Sequence, residues 1–166
     1  MSKSPSPTSG EIGILQRRKI EAEIIKPLYE EMKAELGAPK AQAIIDKVIK
    51  TAAIAAGAHF AARTPGGADL LSFQDLQSLW TQDEALVIEV TQASEEAFDY
   101  NVLRCKYSEM YKEMGLGEIG HLLSCNRDGV FCQGYNPDIT LKRSQTLMQG
   151  ASHCDFRYRF KAKAKA

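Results

Sequence analysis

Apolar positions in the first third of the chain recur at helical spacing. From Glu11 to Leu36, the residues Ile12, Leu15, Ile20, Ile24, Leu28, Met32 and Leu36 return every three to five positions among many charges, which predicts an amphipathic helix. Pro27 is expected to kink or divide it, because proline brings no N–H to the helical ladder. Gly37, Ala38 and Pro39 close this pattern, and a second helix is expected from about Pro39 to Arg63. The small residues Ala52, Ala53, Ala55, Ala56, Gly57 and Ala58 would let another helix come close. The run Thr64–Asp69 reads as a loop, since it lacks the preceding strand and the Gly-Lys-Ser/Thr ending of a phosphate cradle. Ser72 is expected to cap a short helix through about Trp80, with Asp75 in the capping-box position.

The period changes at Leu86. Leu86, Ile88 and Val90 alternate with Val87, Glu89 and Thr91, a turn follows at Ala93-Ser94-Glu95, and Phe98, Tyr100 and Val102 complete a predicted hairpin. Tyr107 to Met114 is helical in pattern and stops at Gly115 and Gly117; Glu118 to about Phe131 is helical again. After a turn at Asn136-Pro137-Asp138, two more strands are expected, Ile139–Leu147 and Cys154–Phe160. The second of these puts Phe156, Tyr158 and Phe160 on one face and Asp155, Arg157 and Arg159 on the other. Strands that come in pairs, with no strand-helix repeat, indicate an α+β fold: N-terminal helices packed with an antiparallel sheet of about four strands.

A chain of 166 residues suits one domain, here residues 11–160, with a flexible tail at 1–10 and a low-complexity, disordered tail at 161–166. Lysine plus arginine and aspartate plus glutamate both total 21, which gives no support for a polyanion binder, so nucleic acid is not an expected partner. The opening MSKSPSPTSG has no apolar export segment, and the most apolar stretch, Ala41 to Ala62, is interrupted by Asp46, Lys47, Lys50 and His59. A soluble, cytoplasmic protein with no membrane span is expected. Its four cysteines then read as free thiols, metal ligands or catalytic groups, not as a disulfide framework.

The chemistry concentrates between His121 and Asp155, which hold three of the four cysteines, two of the three histidines and three aspartates. On a regular helix His121, Cys125, Asp128 and Cys132 would share an arc of about 60°, an arrangement that could lower a thiol pKa or orient an imidazole. His153, Cys154 and Asp155 follow at the start of a strand, where neighbours point to opposite faces. Cys105 and Cys132 read as small buried hydrophobes, and His59 as structural. A zinc site built from His121, Cys125, Cys132 and either His153 or Cys154 is the rival reading, although the spacing matches no standard zinc signature. Arg143 could pair with a substrate carboxylate through its planar fork, with Asn136 and Thr146 able to hydrogen-bond nearby.

The pattern Cys125-x-x-Asp128, Tyr135-Asn136-Pro137, Lys142-Arg143-x-x-Thr146, Gly150 and Cys154-Asp155-Phe156 resembles the L-2-amino-thiazoline-4-carboxylic acid hydrolase family, over roughly Glu84 to Phe160. The resemblance implies hydrolytic opening of a cyclic amidine, the aminothiazoline ring, to a carbamoyl-cysteine on a bacterial route to L-cysteine, with no cofactor. Attack on the C=N carbon of such a heterocycle needs a nucleophile, a proton donor and a carboxylate anchor. Cys125 as thiolate, His121 or His153 as acid and base, Asp128 orienting the imidazole and Arg143 as anchor would supply these. Water attack with Asp128 or Asp155 as base is the alternative within the class. A small-molecule binding module and a zinc-stabilised structural protein are the readings from other classes, and the Ala-rich helix permits a homo-oligomer.

Overall fold

The computed structural model describes residues 12–161, so both expected tails, apart from Lys161, lie outside the described residues. Two long helices, α1 (Ile14–Leu36) and α2 (Ala38–Ala62), fold back on each other across Gly37, whose φ of 81° suits glycine. α1 is not divided at Pro27 but runs through it as one helix. Proline sits there on the solvent side, while Ala22 and Tyr29 are buried against the core on either side of it. The next helix, α3 (Leu70–Thr81), starts earlier than the sequence suggests. Asp69, not Ser72, is its cap: the Ser72 amide donates to the Asp69 carboxylate at 2.8 Å, and the Asp69 amide donates to the Ser72 hydroxyl at 2.9 Å. The capping box is therefore formed one turn upstream, where it also brings Leu70 into the core.

Strands β1 (Leu86–Ala93) and β2 (Ala97–Cys105) form the expected hairpin. After α4 (Lys106–Glu113), residues His121–Cys125 make a π-helical turn that leads into α5 (Asn126–Tyr135). Strands β3 (Ile139–Lys142) and β4 (Cys154–Phe160) complete an antiparallel sheet of order β1-β2-β4-β3. The fold is α+β, with the N-terminal helices preceding the strands as expected. β3 is shorter than predicted. The amides of Ser144 and Gln145 turn away from the ladder to donate to one oxygen of the Asp155 carboxylate, at 3.0 and 2.9 Å, so pairing stops at Lys142.

Two apolar clusters hold these layers together. One joins α1, α2, α4 and the turn before α5 through Ala22, Tyr29, Ile45, Ile49, Tyr111 and Leu123. The other fills the space between α3, α5 and the sheet with Phe73, Phe98, Tyr100, Phe131, Tyr135, Phe156 and Tyr158. The β2–β4 register sets Phe98 opposite Tyr158, Tyr100 opposite Phe156 and Val102 opposite Cys154, so the helix-facing side of the sheet is largely aromatic. Helices α2 and α5 touch backbone to backbone at Gly57 and Gly134. A Cβ at Gly57 would lie 2.1 Å from the Phe131 carbonyl oxygen, and one at Gly134 would lie 1.9 Å from that of Ile54. This contact fixes α5 over the sheet. Among the described residues no helix is long and apolar enough to cross a membrane.

Candidate functional site

Residues His121–Cys125 form the π-helical turn that leads into α5, and the four candidates His121, Cys125, Asp128 and Cys132 run along it and the helix. His121 lies near Asp46 of α2, whose carboxylate also accepts from Asn126 Nδ2 at 2.7 Å and Lys50 Nζ at 2.6 Å. Two arginines bond carbonyls of the turn: Arg127 Nε donates to Leu123 O at 2.7 Å, and Arg143 donates to Cys125 O at 3.0 Å.

Arg143 is delivered by the early end of β3. Freed from the sheet, its guanidinium turns beneath α5, donates to Asp128 at 2.5 Å and stacks 5.0 Å from the centre of the Phe156 ring. The pair is recessed but reachable: 14% of the Arg143 side chain and 31% of the Asp128 side chain remain accessible. Burial pushes the Asp128 carboxyl above its ordinary pKa, against the pull of Arg143. Burial also opposes the charge on Arg143, but Asp128 outweighs it and the guanidinium holds its proton more tightly than usual. The site therefore keeps a permanent cation beside a carboxylate whose protonation is within easier reach.

All four cysteine thiols feel the Asp128 charge. The Cys125 thiol is pushed up to about 12, first by burial and then by the Asp128 charge, with Arg143 opposing. The expected lowering of a thiol pKa is thus reversed, because the thiol is buried and the charge that adds to burial is an aspartate. Cys154 is buried and accepts from the Leu147 amide at 3.2 Å; burial raises its pKa as well. Cys105 caps α4 by accepting from Ser108 N at 3.4 Å, and its thiol is pushed up to about 11 by burial. Cys132 belongs to the aromatic core, as expected.

The other candidates have separate partners. His153 lies in the bend just before β4, where it bonds Gln145 and the Ser152 hydroxyl. Asp155 binds the Ser144 hydroxyl at 2.6 Å besides the two amides, which makes it the anchor of the β3–β4 loop. Asn136 ties its turn to the α2–α3 loop, donating to Ala68 O at 2.7 Å and accepting from Asp138 N at 2.9 Å. Thr146 is buried and caps the short 3-10 turn Leu147–Gln149. Among the described residues no group of three or more His, Cys, Asp or Glu side chains could hold a metal ion, so the ligand set of His121, Cys125, Cys132 and His153 or Cys154 is not assembled.

Tyr100 and Tyr158 stand in the aromatic core on either side of Phe156, the ring on which Arg143 stacks. Both tyrosines are buried, which raises their pKa values well above the ordinary one, and both feel the Asp128 charge. Strand alternation placed them on the inner face; what it lacked was the position of α5 above that face.

The architecture is that of an α+β protein in which helices close over an aromatic sheet, with the Asp128–Arg143 ion pair between α5 and that sheet. The same fold occurs in the crystal structure of the phenol-responsive sensory domain of the transcription activator PoxR with phenol. That chain is 11% identical, with a TM-score of 0.54, over 88% of this chain and 75% of the other. The family model for L-2-amino-thiazoline-4-carboxylic acid hydrolase matches residues 17–158, and the chain belongs to that family. No curated protein matches the sequence.

Proposed function

We propose that the chain is a hydrolase that opens a small carboxylated cyclic amidine of the 2-aminothiazoline-4-carboxylate kind at the Asp128–Arg143 pair. The observation that carries this reading is the pair itself: one carboxylate and one guanidinium, recessed together between α5 and an aromatic sheet. A carboxylated amidine is itself a zwitterion. Its carboxylate matches the Arg143 fork and its amidinium matches Asp128, so it can replace each partner's counterion without leaving a charge unpaired. Phe156, Tyr100 and Tyr158 supply flat apolar surface for the ring.

Cys125 is the proposed nucleophile, and its high resting pKa means that it needs a base at the moment of attack. Asp128 takes that part, since its own pKa is raised toward the working range. The Cys125 sulfur bonds the amidine carbon while its proton passes to Asp128. The ring bond to that carbon then breaks, and the proton returns to the departing ring atom. Water adds to the same carbon and displaces Cys125, and the net change is substrate plus one water. Direct attack by water with Asp128 as base uses the same residues without the covalent step.

Binding without turnover is the second reading, favoured by the high thiol pKa and by the fold shared with a sensory domain crystallised with phenol. Calorimetric titration of L-2-amino-thiazoline-4-carboxylate, followed by mass spectrometry of the same sample, separates the two. Heat of binding with a product one water heavier supports the hydrolase; heat of binding with the ligand intact supports the binding module. Neither heat nor product would remove this ligand from the site.

A further inference from the structure

The outer face of α1 carries an apolar stripe that nothing in the described chain covers: Ile20, Ile24 and Leu28 are 46%, 64% and 56% exposed. They lie one turn apart, and at 100° per residue Arg17 and Glu31 fall on the same face, all within about 40° of Ile24. Arg17 and Glu31 are exposed, and among the described residues neither side chain has an ion-pair or hydrogen-bond partner. Spacing makes this face self-complementary. Arg17 lies seven residues before Ile24 and Glu31 seven after it, while Ile20 lies four before and Leu28 four after.

We propose that this stripe is the contact of a homodimer in which two α1 helices cross antiparallel about a two-fold axis at Ile24. In that arrangement Ile24 meets its own copy, Ile20 meets Leu28, and Arg17 of each chain faces Glu31 of the other. This is the isologous contact that a two-fold axis requires. A second feature of α1 points the same way. Its first turn holds no acid and includes Arg17, followed by Arg18 and Lys19, whereas Glu30, Glu31 and Glu35 crowd toward its C-terminal end and outnumber the one base of the last turn, Lys33. On balance that order works against the helix dipole. An antiparallel partner sets the basic end beside the acidic end and offsets the cost. A large uncovered apolar strip on a charged helix is otherwise a liability in water. The charges fix register and orientation more than affinity, and the three apolar side chains supply the burial.

Sedimentation velocity of the full chain tests the proposal, run from about 1 µM to about 300 µM, the range in which a contact of one helix pair dissociates. A concentration-dependent dimer is expected. Ile24→Glu should weaken it about tenfold or more, because two carboxylates would meet on the axis. Arg17→Glu should weaken it about three- to tenfold, and Arg17→Glu combined with Glu31→Arg should restore it. All these positions are exposed, so circular dichroism and the melting temperature, read at about 1 µM where the dimer is dissociated, should stay at wild-type values and certify the fold. A monomer at every concentration would overturn the proposal and leave the stripe to a different partner. A dimer indifferent to Ile24→Glu, or a double charge swap no better than the single one, would also overturn it.

Discussion

Asp128 carries the greatest weight of any residue in this account, because it is the counterion of Arg143 and the proposed base for Cys125. Asp128→Asn should reduce turnover about a hundredfold or more while the melting temperature changes modestly, since asparagine can still accept from Arg143. Steady-state rates beside a thermal melt check both parts. The pH dependence follows from the direction of the shift. The base form of Asp128 accumulates only above its raised pKa, so the acid limb of kcat/KM should lie above about 4, the ordinary aspartate value. Cys125→Ser should abolish turnover with little change in melting temperature, and wild-type rates in that variant would replace the cysteine with water as attacker. Asp155 shifts the other way. Burial works against its charge, but the Ser144 hydroxyl and the amides of Ser144 and Gln145 outweigh burial and hold it below the usual carboxylate range. Its folded-state pKa is depressed, so its contribution is present above about pH 4 and is lost as pH falls through the lower, folded value. Asp155→Asn should flatten that acid limb of stability in denaturant titrations at successive pH values.

At the scale of elements, the contact of α2 with α5 decides where Asp128 hangs. Gly57→Ala or Gly134→Ala would drive a methyl into a backbone carbonyl, which no rotamer change relieves, and should cost about 2–4 kcal/mol in urea unfolding. The close approach was legible in the sequence as a run of small residues from Ala52 to Ala58; its partner in α5 was not, because a lone Gly134 carries no periodicity. Helices, hairpin and the inward face of β4 follow from apolar spacing, which is the property that burial selects. Two things escaped. The π turn at His121–Cys125 leaves no mark in hydrophobic pattern, and neither does the approach of His121 to Asp46 of α2. The end of β3 depends on Asp155, eleven residues beyond Ser144, drawing two amides out of the ladder. That side-chain competition is invisible to alternation, and it is what frees Arg143 to reach Asp128.

On the scale of the molecule, helices pack on an aromatic sheet, and the Asp128–Arg143 pair lies between α5 and that sheet. The family match spans nearly the whole described chain, and the shared fold includes a sensory domain, so scaffold alone does not choose between turnover and binding. The choice rests on the recess and its three residues, Cys125, Asp128 and Arg143. The most direct measurement is mass spectrometry of L-2-amino-thiazoline-4-carboxylate after incubation with purified wild-type protein and with Asp128→Asn in parallel. A product heavier by one water with the wild type, and almost none with Asp128→Asn, is the predicted result. Intact substrate with both proteins, or equal turnover by the two, would contradict the assignment of this pair as the seat of a hydrolase.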